Sequence, residues 1–232
     1  MANRAPEVKV IGAWFSPFVM RPIIALHLKF VDYDFIEDTL DPKTELLLES
    51  NPVHKKIPVL LHNGKPVCES NVIVQYIDEA FSSGSSILPS DPYVRAIHCF
   101  WAAYIDDKWF QSMMAAKWAE TPEAKATALK QLKEGLILLE EAFVKLSNGK
   151  PYFGGDNIGY VDIVFGSYIG LIRTSEKLNK AKLLDESDTP SLVTWADKFC
   201  AHEAVKDVMP DTDKLAEFAK VMLAKRRAVA ST

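Results

Sequence analysis

Cysteine is scarce in this chain, three among 232 residues, and Cys68, Cys99 and Cys200 stand in no CxxC or other ligand spacing. Their scarcity excludes a disulfide framework and a thiolate metal cage. It leaves buried small hydrophobes as the ordinary reading and suits a reducing compartment. Long hydrophobic runs are missing too. The longest near-apolar stretch, Ile163 to Ile172, falls well short of the roughly 20 residues a bilayer-crossing helix needs. Residues 1–15, MANRAPEVKVIGAWF, lack the apolar core and small-residue cleavage site of a secretory leader. Neither sign of charge dominates. Lys and Arg number 27 against 31 Asp and Glu, for a net charge of −4, and the basic residues are scattered, which argues against nucleic acid. Repeats and low-complexity tracts are absent. Hydrophobic residues make up 48 %, a normal share for a packed globular protein. The expectation is a soluble, cytoplasmic protein with no membrane and no metal.

What is present divides into two halves of different periodicity. Val8–Ile11 is a β-rich run ending at Gly12, and Ser16-Pro17 opens a helix with a good N-cap and a proline at its first position. Tyr33–Ile36 reads as a second strand, so the connection predicts parallel strands in a βαβ unit. Ile57–His62 and Lys65–Cys68 flank Asn63-Gly64, a strong hairpin signal. After Glu69, Ser70 caps a helix whose Ile73, Val74, Ile77 and Phe81 recur at helical spacing. Residues 82–92 are rich in Ser, Gly and Pro, and beyond them strand signals stop. Helical stretches are expected at 93–118, 122–146, 160–175, 190–201 and 211–227. The predicted architecture is α/β plus all-α: an N-terminal domain over 1–82, a linker over 83–92 and an all-helical C-terminal domain over 93–232. Phe30, Trp101 and Trp195 read as core packing.

Several residues allow two readings. Ser16 caps a helix, or its hydroxyl serves an anion that the helix N-terminus attracts, such as a bound thiolate. Pro58 marks a strand edge, or it is a cis proline that presents the main chain of Ile57 to a peptide-like ligand. Glu69 and Ser70 form a helix cap, or they hold a zwitterion, the carboxylate of Glu69 taking an ammonium and Ser70 a carboxylate. Lys43 and Lys56 are solvated surface charges, or they reach a second carboxylate. In their second readings these residues together describe a site for a peptide with two carboxylates, one amine and one thiol. That is glutathione.

Three blocks carry a family resemblance: Ser16-Pro17-Phe18-x-x-Arg21, Asn51–Leu60 and Asn63–Ser70. With Leu88–Tyr93 and Tyr152–Ile163 in the second half, they closely resemble the tau class of plant glutathione transferases over nearly the whole chain. The resemblance implies a thioredoxin-like N-terminal domain and glutathione as co-substrate, with no metal. Ser16 would hydrogen-bond the sulfur as the catalytic residue. Lys43 and Lys56 would hold the glycyl carboxylate, and Ile57 beside cis Pro58 the cysteinyl main chain. Glu69 and Ser70 would hold the γ-glutamyl end. The electrophile would meet Trp14, Phe15, Phe110, Met114, Leu171, Phe218 and Met222, for which plain core packing is the competing reading. Asp162 would be structural. A homodimer is implied as well.

Phe15 stands where tau sequences usually have proline, and Pro22 where a branched aliphatic residue is common. Pro22 deletes an internal hydrogen bond and is expected to bend or loosen the first helix. The expected activity is conjugation of glutathione to hydrophobic electrophiles, with peroxide reduction as a secondary activity of the same site. Thiol–disulfide chemistry is disfavoured because serine, not cysteine, stands at position 16. A non-catalytic carrier of hydrophobic metabolites is the alternative class, and turnover of a chromogenic electrophile separates the two.

Overall fold

The β-branched run at the start of the chain becomes one of the two interior strands of a four-stranded sheet in the computed structural model, which describes residues 7–230. The strands are β1 (Val8–Gly12), β2 (Asp34–Glu37), β3 (Val59–His62) and β4 (Lys65–Cys68), in the order β2-β1-β3-β4. β1 runs parallel to β2, with Lys9 opposite Asp34, and antiparallel to β3, with Val10 opposite Leu60. Pairing on both sides removes both edges of β1 from solvent, and the side chains of Val10 and Ile11, one to each face, are wholly buried. Asn63 and Gly64 join β3 to β4 with φ of 51° and 76°, the left-handed pair that a two-residue hairpin requires.

Three helices complete this half: α1 (Pro17–Leu28), α2 (Glu45–Ser50) and α3 (Ser70–Ala80). α1 packs on α3, whose Ile73, Val74 and Ile77 are fully buried. α1 runs without interruption past Pro22, where the sequence suggests a looser helix. Phe30 reverses expectation. It occupies the left-handed position after α1, φ 52°, where glycine is the usual residue, and it is 82 % exposed instead of packed. The chain reverses there through bonds from Phe30 N–H to His27 O and from Val31 N–H to Leu26 O, which turn the side chain outward.

The described residues up to Leu88 form one compact unit together with His202–Val208. The segment before Leu88 is held by Asp78, which pairs with the buried ammonium of Lys29 at 2.7 Å and accepts from the N–H groups of Ile87 and Leu88. Ser83 Oγ donates to Lys29 O, and Gly84, φ +70°, lies so close to Leu28 O that a Cβ would meet it at 2.0 Å. The sequence pattern assigns 202–208 to the helical half. The structure groups it with the sheet, because Ala204 and Val205 are buried there and Ala204 O faces His27 Nδ1 at 3.1 Å.

The second unit holds α4 (Pro92–Tyr104), α5 (Phe110–Trp118), α6 (Pro122–Ser147), α7 (Tyr160–Gly166), α8 (Ile169–Asn179), α9 (Pro190–Ala201) and α10 (Thr212–Ala230). Two expected helices are divided. Residues 93–118 carry a wider π turn at Ile105–Trp109, and residues 160–175 break at Ser167, whose hydroxyl donates to Val164 O. The core is aromatic. Phe165 stacks on Trp195 at 5.0 Å, Trp195 on Phe199 at 5.5 Å, and Trp109 meets Phe165 edge-on. Gly166 admits the Phe199 ring where a Cβ would lie 2.2 Å from it. Asp162 is fully buried among these rings. Oδ1 accepts from Phe153 N–H at 2.9 Å and Trp195 Nε1–H at 2.7 Å; Oδ2 accepts from Gly154 and Gly159 N–H at 2.8 and 2.9 Å. Among the described residues no helix is long and apolar enough to cross a membrane, and no cluster of three metal-ligating side chains occurs.

Candidate functional site

Ser16 sits where β1 hands over to α1. The turn before it closes through Ser16 N–H to Ala13 O at 3.1 Å, and α1 begins with Val19 and Met20 N–H donating to Ser16 O. Its backbone is extended, as an N-cap requires, yet its hydroxyl makes no capping hydrogen bond. The oxygen is left for another partner at a helix N-terminus, where negative charge is favoured. Trp14 and Phe15, half-buried in the same turn, meet edge to face at 5.8 Å.

The Ile57–Pro58 bond is cis. The β1–β3 ladder ends at the pair Ile11–Val59, so the main chain of Ile57 lies beyond it. The Ile57 side chain packs against the buried cluster of Ile11, Leu47 and Val59 and anchors the segment. Glu69 holds φ at +70°, a region β-carbon residues seldom adopt, and its carboxylate is exposed, 3.8 Å from His54 Nε2. Ser70, the first residue of α3, is buried.

Three residues that sequence reasoning gave no role hold this region together. Arg21, fully buried on α1, donates from one guanidinium nitrogen to Ser70 Oγ at 3.2 Å and to Asn71 Oδ1 at 3.0 Å. It thereby fixes the start of α3 and sets a positive charge beside it. Asn51, also buried, donates to Lys56 O at 2.9 Å and accepts from His54 N–H, so it shapes the loop that carries Lys56. Asp38 accepts from Leu40 N–H, Thr44 N–H and the Thr44 hydroxyl, bracing the turn that carries Lys43. Lys43 Nζ in turn donates to Lys55 O at 2.8 Å, which ties the two lysine-bearing loops to each other. The signal for Arg21 and Asn51 was in plain view, since both lie inside the motif blocks. Asp38 gave none.

In the second unit, Phe110 and Met114 lie one turn apart on α5, and Phe218 and Met222 one turn apart on α10. Leu171 is on α8, which packs against α10. Phe110 stacks on Tyr168 at 4.5 Å, and the buried Tyr168 hydroxyl donates to Asp106 Oδ1 at 2.8 Å. Tyr168 drew no notice in the sequence because it sits in a near-apolar run. Met222 is 44 % exposed, and Phe110, Met114, Leu171 and Phe218 are half-buried, more open than core side chains.

Comparison with known proteins gives a consistent picture. Residues 6–79 match the family model for the glutathione S-transferase N-terminal domain, and residues 107–209 a model for the C-terminal domain. The chain is 58 % identical to glutathione S-transferase U17 of Arabidopsis thaliana, covering 96 % of this chain and 98 % of that one. It is 47 % identical to the probable glutathione S-transferase GSTU6 of rice, Oryza sativa subsp. japonica, over 94 % of each. Among solved structures, a tau-class glutathione S-transferase from mango, Mangifera indica, superposes with a TM-score of 0.90 at 59 % identity, covering 93 % of this chain and 98 % of that one. A rice enzyme solved in complex with glutathione superposes with a TM-score of 0.86 at 33 % identity, covering 96 % and 99 %.

Proposed function

Because this chain belongs to the tau class of the glutathione S-transferases, we propose that the Ser16 hydroxyl holds the glutathione sulfur as a thiolate and so carries the reaction. The protein is an enzyme, a glutathione transferase with glutathione as co-substrate. The observation that carries the role of Ser16 is its position: a buried N-cap side chain that does not cap.

The energetics are sufficient. A thiol of pKa ~8.5 is only a few per cent ionised at neutral pH, and lowering it by about two units takes roughly 2.7 kcal/mol. A hydroxyl hydrogen bond to a charged acceptor supplies about 1.5–3 kcal/mol. A helix N-terminus adds about 0.3–1 kcal/mol. The electron pair on sulfur then attacks the electrophile, whose leaving group departs with the displaced pair.

The remaining anchors follow the tripeptide's own chemistry. Lys43 and Lys56 take the glycyl carboxylate, and Ile57 pairs its main chain with the cysteinyl unit beside Pro58. Glu69 takes the γ-glutamyl ammonium, and Ser70, held by Arg21, takes that end's carboxylate at the start of α3. Trp14, Phe15, Phe110, Met114, Leu171, Phe218 and Met222 offer apolar contact to the electrophile. We further propose a domain division near residues 82–93, a cytoplasmic homodimer, and peroxide reduction as a second use of the same thiolate.

Ser16→Ala tests the central assignment. Turnover of a generic aryl halide is expected to fall about 10- to 100-fold, the kinetic equivalent of the lost hydrogen bond. Glutathione binding, measured by calorimetry, persists through the other anchors. An unchanged kcat overturns the assignment.

A further inference from the structure

We infer that Asn148 is the site at which the native protein deamidates, converting spontaneously to aspartate and isoaspartate. The chain holds two Asn-Gly pairs, Asn63-Gly64 and Asn148-Gly149. Glycine after asparagine leaves its amide nitrogen unshielded, so both pairs are chemically competent. Both asparagines are exposed, both hold the left-handed conformation with φ of 51° and 49°, and open space surrounds the point where either glycine would carry a Cβ. Sequence and local conformation therefore do not tell them apart.

Their hydrogen bonds do. Asn63 Oδ1 accepts from Glu7 N–H at 3.2 Å, and Asn63 N–H donates to Glu7 O at 2.8 Å, so its amide is clamped at the closed end of the β3–β4 hairpin. Asn148 terminates α6, and its side chain makes no hydrogen bond among the described residues. Beyond the helix itself, the segment is held by Lys150 N–H to Ser147 O at 2.9 Å and by the Lys150–Asp156 ion pair at 3.0 Å, neither of which engages the Asn148 side chain. The side-chain carbonyl of Asn148 is thus free to swing onto the next amide, whereas that of Asn63 must first break its bond. Other asparagines are shielded differently. Asn51 precedes a proline, which has no N–H, Asn71 precedes a valine and receives Arg21, and the Asn179 amide donates to Ser175 O.

The step balances without oxidant or cofactor. The Gly149 amide nitrogen gives its proton to solvent base and bonds to Cγ of Asn148. The Cγ–Nδ2 bond breaks and ammonia leaves, closing a five-membered imide. Water then adds to either imide carbonyl and breaks one of the two C–N bonds, giving aspartate or, with the backbone rerouted through the side chain, isoaspartate. Either product makes the chain one charge more negative and places that charge at the C-terminal end of a long helix, where anions are disfavoured. Isoaspartate also lengthens the backbone within the turn that Lys150 N–H closes.

Incubation of the intact protein at mildly alkaline pH, followed by peptide mapping and methyl acceptance from an isoaspartate methyltransferase, reads out both sites. The same incubation in urea gives the reference, since without the fold the two pairs react at similar rates. In the native protein the yield at residue 148 is expected to exceed that at residue 63 several-fold. Asn148→Gly, which keeps the left-handed turn, is expected to abolish most of the isoaspartate signal. Glu7→Pro, which removes the N–H that holds Asn63, is expected to raise conversion at residue 63. Equal native yields, faster conversion at residue 63, or no conversion at residue 148 while the urea sample reacts each overturn the inference.

Discussion

Asp162→Ala removes one side chain and strands four donors. Three are backbone N–H groups, of Phe153, Gly154 and Gly159, and the fourth is the indole N–H of Trp195. Each buried donor left without an acceptor costs about 1–3 kcal/mol. Three of the four are buried, Gly154 being exposed, and even at the low end those three approach ~3 kcal/mol, a large part of the ~5–15 kcal/mol by which a domain is stable. Asp162→Asn is a sharper probe. Its single carbonyl oxygen can serve the Phe153 and Trp195 pair at Oδ1, but its NH2 then faces the N–H groups of Gly154 and Gly159, donor against donor. About half the loss is expected to remain. Burial pushes the carboxyl up to about 6 against the pull of its four donors, so it is ionised at neutral pH and accepts at both oxygens.

The sign of the pH effect follows. The folded value lies above the usual 3.8, so the folded state binds this proton more tightly. Stability from this group is full below that usual value and falls as pH rises towards about 6. The gap between wild type and the non-titrating Asn variant is therefore expected to narrow over that interval and stay flat above it. Urea unfolding at fixed protein concentration, followed by tryptophan fluorescence, to which the stacked Trp195 contributes, measures this. A wild-type midpoint for Asp162→Ala would refute the reasoning, as would a gap that widens with pH.

Phe30→Gly relieves a left-handed aromatic and is expected to stabilise the protein by about 0.5–1 kcal/mol, seen as a higher Tm; an unchanged or lower Tm contradicts the account of that turn. Asp78→Ala leaves the Lys29 ammonium buried without its partner, and a loss of about 3–5 kcal/mol is expected in denaturant titration. Although burial pushes the Asp78 carboxyl up, the N–H groups of Ile87 and Leu88 and the Lys29 ammonium bring it below the usual value. Its stabilisation is thus present above that usual value and lost as pH falls through the lowered one, so this contribution should be missing from the acid limb of the variant's stability profile. Arg21→Lys keeps the charge but shortens the side chain that carries one nitrogen to both Ser70 and Asn71. It is expected to raise KM for glutathione roughly tenfold with a smaller change in kcat, the kinetic form of a loss of about 1–2 kcal/mol in ground-state binding.

Local chemistry decided which elements were legible. Ser16-Pro17, Asn63-Gly64 and the spacing of Ile73, Val74 and Ile77 each act within a few residues, and the elements they foretell are present. The breaks in the helical half left no such mark. Between Val161 and Ile172 every residue but Leu171 is buried whichever helix it belongs to, so hydrophobic periodicity has no exposed face to reveal the interruption at Ser167. The placement of 202–208 was unreadable because it depends on a partner, His27, that is remote in sequence. Arg21, Asn51 and Asp38 are polar residues to which the sequence analysis gave no role, and only the backbone groups and side chains brought to them by the fold explain their burial. Phe30 erred in the other direction, an aromatic placed by a turn instead of by its own hydrophobicity.

The π turn at Ile105–Trp109 works as a gear that resets the helix's angular phase. Were the same residues wound as one regular rod without the wider turn, everything downstream would rotate by most of the roughly 100° that one residue contributes. Phe110 would leave the ring of Tyr168, and the stripe it shares with Met114 would point elsewhere. A relative with one fewer position in this stretch and no such turn would therefore keep that stripe turned the same way.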